Sequence, residues 1–141
     1  MEANVLLVDD ERDFVDTLGD RLETRGFRVE KAYNGDEALG ILREKKIDVV
    51  ILDVMMPGKT GPETLRELKL LTPLVEVIML TGHSTIETAI EGLKLGAFDY
   101  LIKPTSATDL VGKILKAYAR KCENEERIRQ AEIDKIVVGD V

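Results

Sequence analysis

The sequence is poor in cysteine and in aromatic residues. Cys122 is its single cysteine, which excludes an intramolecular disulfide and a cluster of thiolate metal ligands. It has no tryptophan, three tyrosines and three phenylalanines. The core is therefore expected to be aliphatic.

Long apolar runs and an excess of positive charge are also lacking. No run approaches the roughly 18 apolar residues of a membrane-spanning helix, and residues 1–8 lack the regions of a signal peptide. The net charge is -7, which disfavours non-specific nucleic-acid binding because that requires a basic surface. We expect a cytoplasmic protein that binds neither nucleic acid nor membranes directly.

The residues that are present predict one α/β domain. The chain has 141 residues, of which 44% are hydrophobic and 33% are charged, as is typical of a globular domain. Short apolar runs predict strands over 4–8, 27–32, 48–52, 75–80 and 98–102, and segments of helical periodicity lie between them. Because parallel strands need helical crossovers, the alternation predicts a doubly wound (βα)5 sandwich with a five-stranded parallel sheet.

Two details of the last helices follow from local patterns. Ser84 and Glu87 have the spacing of a capping box at the start of the fourth helix. The residues expected on the inward faces of the fourth and fifth helices are Ile86, Ala89, Ile90 and Leu93, and Leu110, Val111, Ile114, Leu115 and Tyr118. We expect the domain to cover 3–120 and the charge-rich residues 121–141 to be a helical extension or a frayed tail.

Polar residues follow directly after four of the five predicted strands: Asp9 and Asp10, Asp53, Thr81, and Lys103. The carboxyl ends of parallel strands share one edge of the sheet, where open α/β proteins place their ligands. These five side chains are therefore expected to converge, although they are distant in the sequence.

The chemistry of this set points to phosphoryl transfer. Three close carboxylates raise one another's pKa unless a cation lies among them, and oxygen ligands without histidine or cysteine favour Mg²⁺ or Mn²⁺. Lys103 supplies a further cation, and the Thr81 hydroxyl supplies a hydrogen-bond donor. Since carboxylates act as nucleophiles that form aspartyl phosphates, these residues predict phosphoryl transfer onto Asp53.

The same residues make the chain resemble the response regulator receiver domains of two-component signalling, over roughly residues 3–120. The motifs are Asp9-Asp10, Asp53 followed by Met-Met-Pro-Gly, Thr81-Gly82, Tyr100, and Lys103-Pro104. The resemblance implies a flavodoxin-like sheet with strand order 2-1-3-4-5. Residues 81–104 are most similar to receivers of the ATPase-activator-linked type, although no output domain is expected in this chain.

The resemblance implies a phosphoacceptor and its metal ligands. Asp53 would take a phosphoryl group from the phosphohistidine of a sensor histidine kinase or from a phosphotransfer protein. Asp10, Asp53 and the backbone carbonyl of Met55 would bind Mg²⁺, for which Mn²⁺ could substitute, and Asp9 would act through a bound water.

The resemblance also implies how the phosphoryl group is read. Thr81 and Tyr100 would form a switch pair, and Lys103 would contact the phosphoryl oxygens. The fourth helix, fifth strand and fifth helix would form the surface that changes, with a homodimer through that surface as one expected outcome. Such a domain is a signalling protein and not an enzyme, because it assists only its own phosphorylation and dephosphorylation.

Three other hypotheses fit the residues less well. A haloacid-dehalogenase-like phosphatase would carry its nucleophile after the first strand and a second aspartate where Met55 stands. A flavodoxin-like cofactor-binding protein would need a phosphate-binding loop after the first strand, where Asp9, Asp10 and Glu11 would repel a phosphate. An unphosphorylated pseudo-receiver normally lacks part of the acidic, threonine and lysine set, and none is missing here.

Overall fold

Five strands alternate with five α-helices in the computed structural model, which describes residues 3–139. The strands are β1 (Asn4–Val8), β2 (Arg28–Ala32), β3 (Val49–Asp53), β4 (Glu76–Thr81) and β5 (Asp99–Ile102). The helices are α1 (Arg12–Thr24), α2 (Gly35–Glu44), α3 (Gly61–Leu71), α4 (Ile86–Lys94) and α5 (Ala107–Gly139). A short 3₁₀ turn (His83–Thr85) lies between β4 and α4.

The strands form one parallel sheet in the order β2-β1-β3-β4-β5. This confirms the predicted doubly wound, flavodoxin-like fold. Every residue of β3 and β4 is buried, because central parallel strands are covered by helices on both faces. Edge strand β5 is only half-buried along its length.

Each face of the sheet carries its own hydrophobic core. Leu6, Val50 and Met79 point to the side covered by α2, α3 and α4. Their neighbours in sequence, such as Leu7 and Ile51, point to the side covered by α1 and α5, because successive residues of a strand alternate between faces. The aliphatic runs of the sequence are therefore explained by burial on both sides.

The predicted capping box at the start of α4 is wrong. Ser84 is an exposed residue within the 3₁₀ turn, and the residue before α4 is Thr85, whose side chain makes no capping bond. A capping box needs an extended residue immediately before the helix. Here the residue with extended backbone is Gly82, which precedes the 3₁₀ turn. Ser84 lies inside that turn and therefore cannot act as the capping residue of α4.

Three residues predicted to face inward are exposed. Ile90 is 41% exposed and Leu93 is 36% exposed. The part of α4 that faces the sheet consists instead of Ala89 and Gly92, and a side-chain carbon at Gly92 would lie 3.2 Å from Met79 Cγ. Small residues bring α4 close to the sheet and leave its large aliphatic residues at the sides.

The same correction applies to Leu115 in α5. Leu115 is 39% exposed, since the buried line of α5 runs through Leu110, Ile114 and Ala117. A helix that covers one side of a sheet buries a stripe narrower than the sequence pattern suggested.

Helix α5 continues through the expected boundary at residue 121. Lys121 and Asp48 are both buried, and Lys121 Nζ lies 2.9 Å from Asp48 Oδ1. The other oxygen of Asp48 accepts a hydrogen bond from the backbone of Asn4 at 2.8 Å. This pair fastens α5 to the amino edge of the sheet.

Residues 140–141 of the expected tail lie outside the described residues.

Within residues 3–139, no helix has both the length and the apolarity needed to cross a membrane.

Candidate functional site

Three carboxylates meet at the carboxyl edge of the sheet. Each of Asp9, Asp10 and Asp53 offers an oxygen that lies within 4.8 Å of the others. The groups come together because β1 and β3 are neighbours, with Val8 opposite Leu52. Asp9 and Asp53 are buried, with 2% and 7% of their surfaces exposed, whereas Asp10 is exposed.

Lys103 extends from the end of β5 into this acidic cluster. Its ammonium lies 2.6 Å from Asp9 Oδ2 and 3.3 Å from Asp53 Oδ1, and Glu11 is more distant at 3.6 Å. The ammonium also lies 4.6 Å from the centre of the Phe14 ring, a favourable cation–π contact. One cation is thus shared among several carboxylates.

Burial and mutual repulsion shift the pKa values in the cluster. Burial, followed by the charge of Asp9, raises the pKa of Asp53 from 3.8 to about 6. Burial also raises the pKa of Asp9, although Lys103 opposes this. Burial alone would lower the pKa of Lys103, but its hydrogen bond to Asp9 and the charge of Asp53 raise it overall. The cluster therefore carries an excess of negative charge that a second cation would stabilise.

A cleft of about 380 Å³ opens over these groups. The residues that line it are Asp10, Glu11, Asp53, Met55, Gly82, Ser84, Thr85 and Lys103. Met55 is 56% exposed and belongs to the rim. The cleft gives a small anion access to Asp53 and to the ammonium of Lys103.

Thr81 belongs to β4, and its hydroxyl contacts Thr85 and Gly82. It is the last residue of the strand and is completely buried. Its Oγ1 lies 2.5 Å from Thr85 Oγ1 and 3.0 Å from the carbonyl oxygen of Gly82. Of the five residues expected to converge, Thr81 is thus the one whose hydrogen bonds lie elsewhere.

Tyr100 lies in β5, opposite Met79 of β4. It is half-buried and packs against the core on the α4 side of the sheet. It does not line the cleft.

Sequence reasoning missed Gly61, which supports the backbone of Asp53. A side-chain carbon at Gly61 would lie 2.5 Å from the carbonyl oxygen of Asp53 and 2.8 Å from Val54 Cα. The backbone amide of Gly61 also donates to the Val54 carbonyl at 2.9 Å. Only glycine allows the start of α3 to approach this closely. The sequence signal was a glycine before Pro62, which by itself indicates only a turn.

The donor set of the cluster suits a hard divalent cation. Its side-chain ligands are all carboxylate oxygens, and such ligands favour Mg²⁺ or Mn²⁺ over metals that prefer nitrogen or sulfur. Burial and then the charge of Asp9 raise the pKa of Asp53, and a cation bound beside it would favour its ionised form. The residues therefore fit the metal that the family resemblance implies.

The sequence matches the family model of the response regulator receiver domain over residues 5–115. Transcriptional regulatory protein ZraR of Salmonella typhimurium is 39% identical over 130 residues, which make up 92% of this chain and 30% of that protein. Transcriptional regulatory protein CpxR of Escherichia coli K12 is 42% identical over 123 residues, or 87% of this chain and 52% of that protein. The chain thus spans only part of the length of these relatives.

Solved structures agree with the sequence comparisons. A response regulator receiver domain protein from Clostridium thermocellum is 43% identical with a TM-score of 0.81, and the match covers 84% of this chain and 96% of that one. NtrX from Brucella abortus, in complex with ADP, is 32% identical with a TM-score of 0.85, over 89% of this chain and 29% of that one.

Proposed function

Since this chain belongs to the response regulator receiver domain family, we propose that it accepts a phosphoryl group on Asp53 and thereby changes a protein-binding surface. The observation that carries this proposal is the acidic cluster with Lys103 at its centre. Asp53 is a buried carboxylate at the floor of a cleft, with an ammonium 3.3 Å away. That arrangement suits a nucleophile for an anionic donor.

The donor in this proposal is a phosphohistidine on a sensor histidine kinase or a phosphotransfer protein. A carboxylate oxygen of Asp53 attacks phosphorus, and the bond from phosphorus to the imidazole nitrogen breaks. The nitrogen keeps the electron pair and takes up a proton, and Asp53 becomes an acyl phosphate. Because its pKa is about 6, Asp53 is mostly ionised at neutral pH and is ready to attack.

The acidic residues have different roles in binding a divalent cation. Asp10, Asp53 and the backbone carbonyl of Met55 would hold Mg²⁺ directly, or Mn²⁺ in its place, and Asp9 would act through water. When bound, the ion neutralises charge on the carboxylates and on the incoming phosphoryl oxygens. Asp9 also holds the ammonium of Lys103, at 2.6 Å, where it can meet those oxygens.

Three residues convert the phosphorylation of Asp53 into a change of the protein-binding surface: Lys103, Thr81 and Tyr100. Lys103 exchanges part of its contact with Asp53 for the phosphoryl oxygens. The Thr81 hydroxyl turns towards the phosphoryl group, and Tyr100 turns inward into the space that opens behind it.

The surface that changes is formed by α4, β5 and α5. Ile90 and Leu93 of α4 and Leu115 of α5 are exposed aliphatic residues on these elements, which supplies apolar area for a partner or for a second copy of the chain. The domain acts as a cytoplasmic signalling protein and not as an enzyme, since the only phosphoryl group it turns over is its own.

Beryllofluoride, which mimics a phosphoryl group on a carboxylate, tests the site without a kinase. Titration calorimetry in the presence of Mg²⁺ should show binding to the wild-type chain and none to Asp53→Asn. Asp134→Asn makes the same change at an exposed carboxylate in α5 and should bind like the wild type. Equal binding by Asp53→Asn would refute the proposal.

A further inference from the structure

The hydroxyl groups of Thr81 and Thr85 form a closed triangle with one carbonyl oxygen. The two hydroxyl oxygens are 2.5 Å apart. Each also lies near the carbonyl oxygen of Gly82, at 3.0 Å for Thr81 and 3.2 Å for Thr85. Thr81 is completely buried, whereas Thr85 lines the cleft. The triangle therefore joins the end of β4 to the wall of the candidate site.

A count of protons shows that Thr81 has none to spare. Each hydroxyl carries one proton and the carbonyl carries none. If Thr81 donates to Thr85, then Thr85 donates to Gly82; if Thr85 donates to Thr81, then Thr81 donates to Gly82. In both arrangements the proton of Thr81 is used within the triangle, so Thr81 can donate to a group on Asp53 only by giving up its bond to Thr85 or its bond to the Gly82 carbonyl.

We propose that Thr85 is a positioning residue that holds Thr81 in its resting rotamer and sets how readily the Thr81 hydroxyl turns towards Asp53. The proposal rests on the proposed function, because that hydroxyl is needed only when Asp53 carries a phosphoryl group. After Thr81 has left, Thr85 still has the Gly82 carbonyl as an acceptor, so its own hydroxyl stays satisfied.

The position of Thr85 also links the site to α4. Thr85 ends the 3₁₀ turn and is the residue immediately before α4, and its backbone amide donates to the Gly82 carbonyl at 3.1 Å. Its side chain makes no capping bond to α4, and its hydroxyl instead forms hydrogen bonds with Thr81 and Gly82. Release of Thr81 therefore frees a contact at the first turn of a helix on the proposed output surface.

The test compares the affinities of variants of the 141-residue chain for beryllofluoride at saturating Mg²⁺. Thr85→Val keeps the side-chain shape and removes the hydroxyl, and Thr85→Ala removes it with a smaller side chain. One net hydrogen bond corresponds to about 2- to 10-fold in an equilibrium constant, so both variants should bind beryllofluoride more tightly by that factor. Thr85→Ser keeps the hydroxyl and should match the wild type.

A matched control and a double-mutant cycle separate this role from a structural one. Thr88→Val makes the same change in α4 at a residue that does not line the cleft and should bind like the wild type. In a Thr81→Ala background, Thr85→Val should have no effect on the affinity, because the contact is already gone.

Two results would overturn the role of Thr85. One is an unchanged or weaker affinity in both Thr85→Val and Thr85→Ala, and the other is an undiminished gain in the Thr81→Ala background. In either case, loss of binding in Asp53→Asn would show that the proposed function still stands. If the wild-type chain fails to bind beryllofluoride, the proposed function and this inference fall together.

Discussion

The ionised carboxylate of Asp53 destabilises the folded protein. Its carboxylate is buried beside Asp9, and its pKa of about 6 lies above the ordinary value of 3.8. Between these values the folded state binds more protons than the unfolded state, so this residue's contribution to stability falls as the pH rises. Above about pH 6 the full cost of the buried charge is present.

Neutralising Asp53 should therefore stabilise the metal-free protein. One pKa unit corresponds to about 1.4 kcal/mol, and water that reaches the cleft screens part of the shift. We expect Asp53→Asn to be more stable by about 1–2 kcal/mol at pH 7 without divalent cations, as measured by urea denaturation. The difference should shrink as the pH falls towards 4, where wild-type Asp53 is protonated. A difference that does not change with pH would argue against this electrostatic origin.

Replacement of Gly61 even by alanine should destabilise the protein. A methyl group there would lie 2.5 Å from the Asp53 carbonyl oxygen, and relief of this overlap must move either α3 or the phosphoacceptor. We expect Gly61→Ala to cost about 2 kcal/mol or more of unfolding free energy, by analogy with overpacked cores.

Gly40 provides the control, because a side-chain carbon there would meet nothing within 4 Å and the residue lies inside α2. Gly40→Ala should stabilise the protein by about 0.5–1 kcal/mol. Denaturation curves in which the two variants shift in the same direction would contradict the close approach assigned to Gly61.

At the scale of elements, α5 is held by buried charges as well as by its apolar stripe. Lys121 pairs with Asp48 at the start of β3, and Arg120 lies 3.3 Å from Glu76 at the start of β4. Both carboxylates are buried, and Lys69 of α3 also contacts Glu76 at 3.4 Å. Lys121, which donates a hydrogen bond to Asp48, therefore fixes α5 at the edge opposite to Asp53, whereas Arg120 is largely exposed and makes no hydrogen bond to Glu76 Oε2.

Removal of the Lys121 ammonium should destabilise the domain strongly. Lys121→Met keeps most of the side-chain volume but leaves Asp48 buried without its cation, which typically costs about 3–5 kcal/mol. Lys116→Met makes the same substitution at an exposed site in α5 and should change the stability by less than about 0.5 kcal/mol. Thermal unfolding followed by circular dichroism compares the two, and equal melting temperatures would contradict the role of this pair.

The sequence predicted the elements better than it predicted their surfaces. The apolar patterns located all five strands to within a residue, most clearly β3 and β4, where burial on both faces leaves an unmistakable pattern. The faces of α4 were misjudged, since the contact with the sheet depends on the small size of Ala89 and Gly92 and not on hydrophobicity alone. Local pattern also suggested a cap at Ser84, where the Thr81–Thr85 contact stabilises a different turn.

Contacts between residues that are distant in the sequence show more clearly what sequence patterns can and cannot predict. Asp53 and Lys103 could be placed together because strand ends share one edge of a parallel sheet. Lys121 and Asp48 are 73 residues apart, and no rule about strand ends brings a helical lysine to the opposite edge. Gly61 was missed for the same reason, because its importance comes from a neighbour that only the folded chain supplies.

At the scale of the whole molecule, α5 extends beyond the body of the domain. It has 33 residues, and the side chains of residues 126–138 are all exposed. Glu125 still contacts Lys121 at 3.2 Å. We propose that the folded unit ends near Glu125.

Truncation locates that end. A chain that stops after residue 126 should unfold at the same temperature as the full chain, since it keeps Lys121 and Glu125. A chain that stops after residue 120 should lose about 3 kcal/mol or more, because Asp48 is left buried and unpaired. If the first truncation destabilised the protein as much as the second, residues 127–141 would have to stabilise the domain.

The central claim concerns the molecule as a phosphoryl acceptor, and the most direct measurement is the mass of the intact protein after reaction with acetyl phosphate. With Mg²⁺ present, the wild-type chain should gain one phosphoryl group, and chelation of the metal should suppress the gain. Asp53→Asn should remain unmodified under the same conditions, while Asp134→Asn should be modified like the wild type. An unchanged phosphoryl adduct on Asp53→Asn would contradict the account.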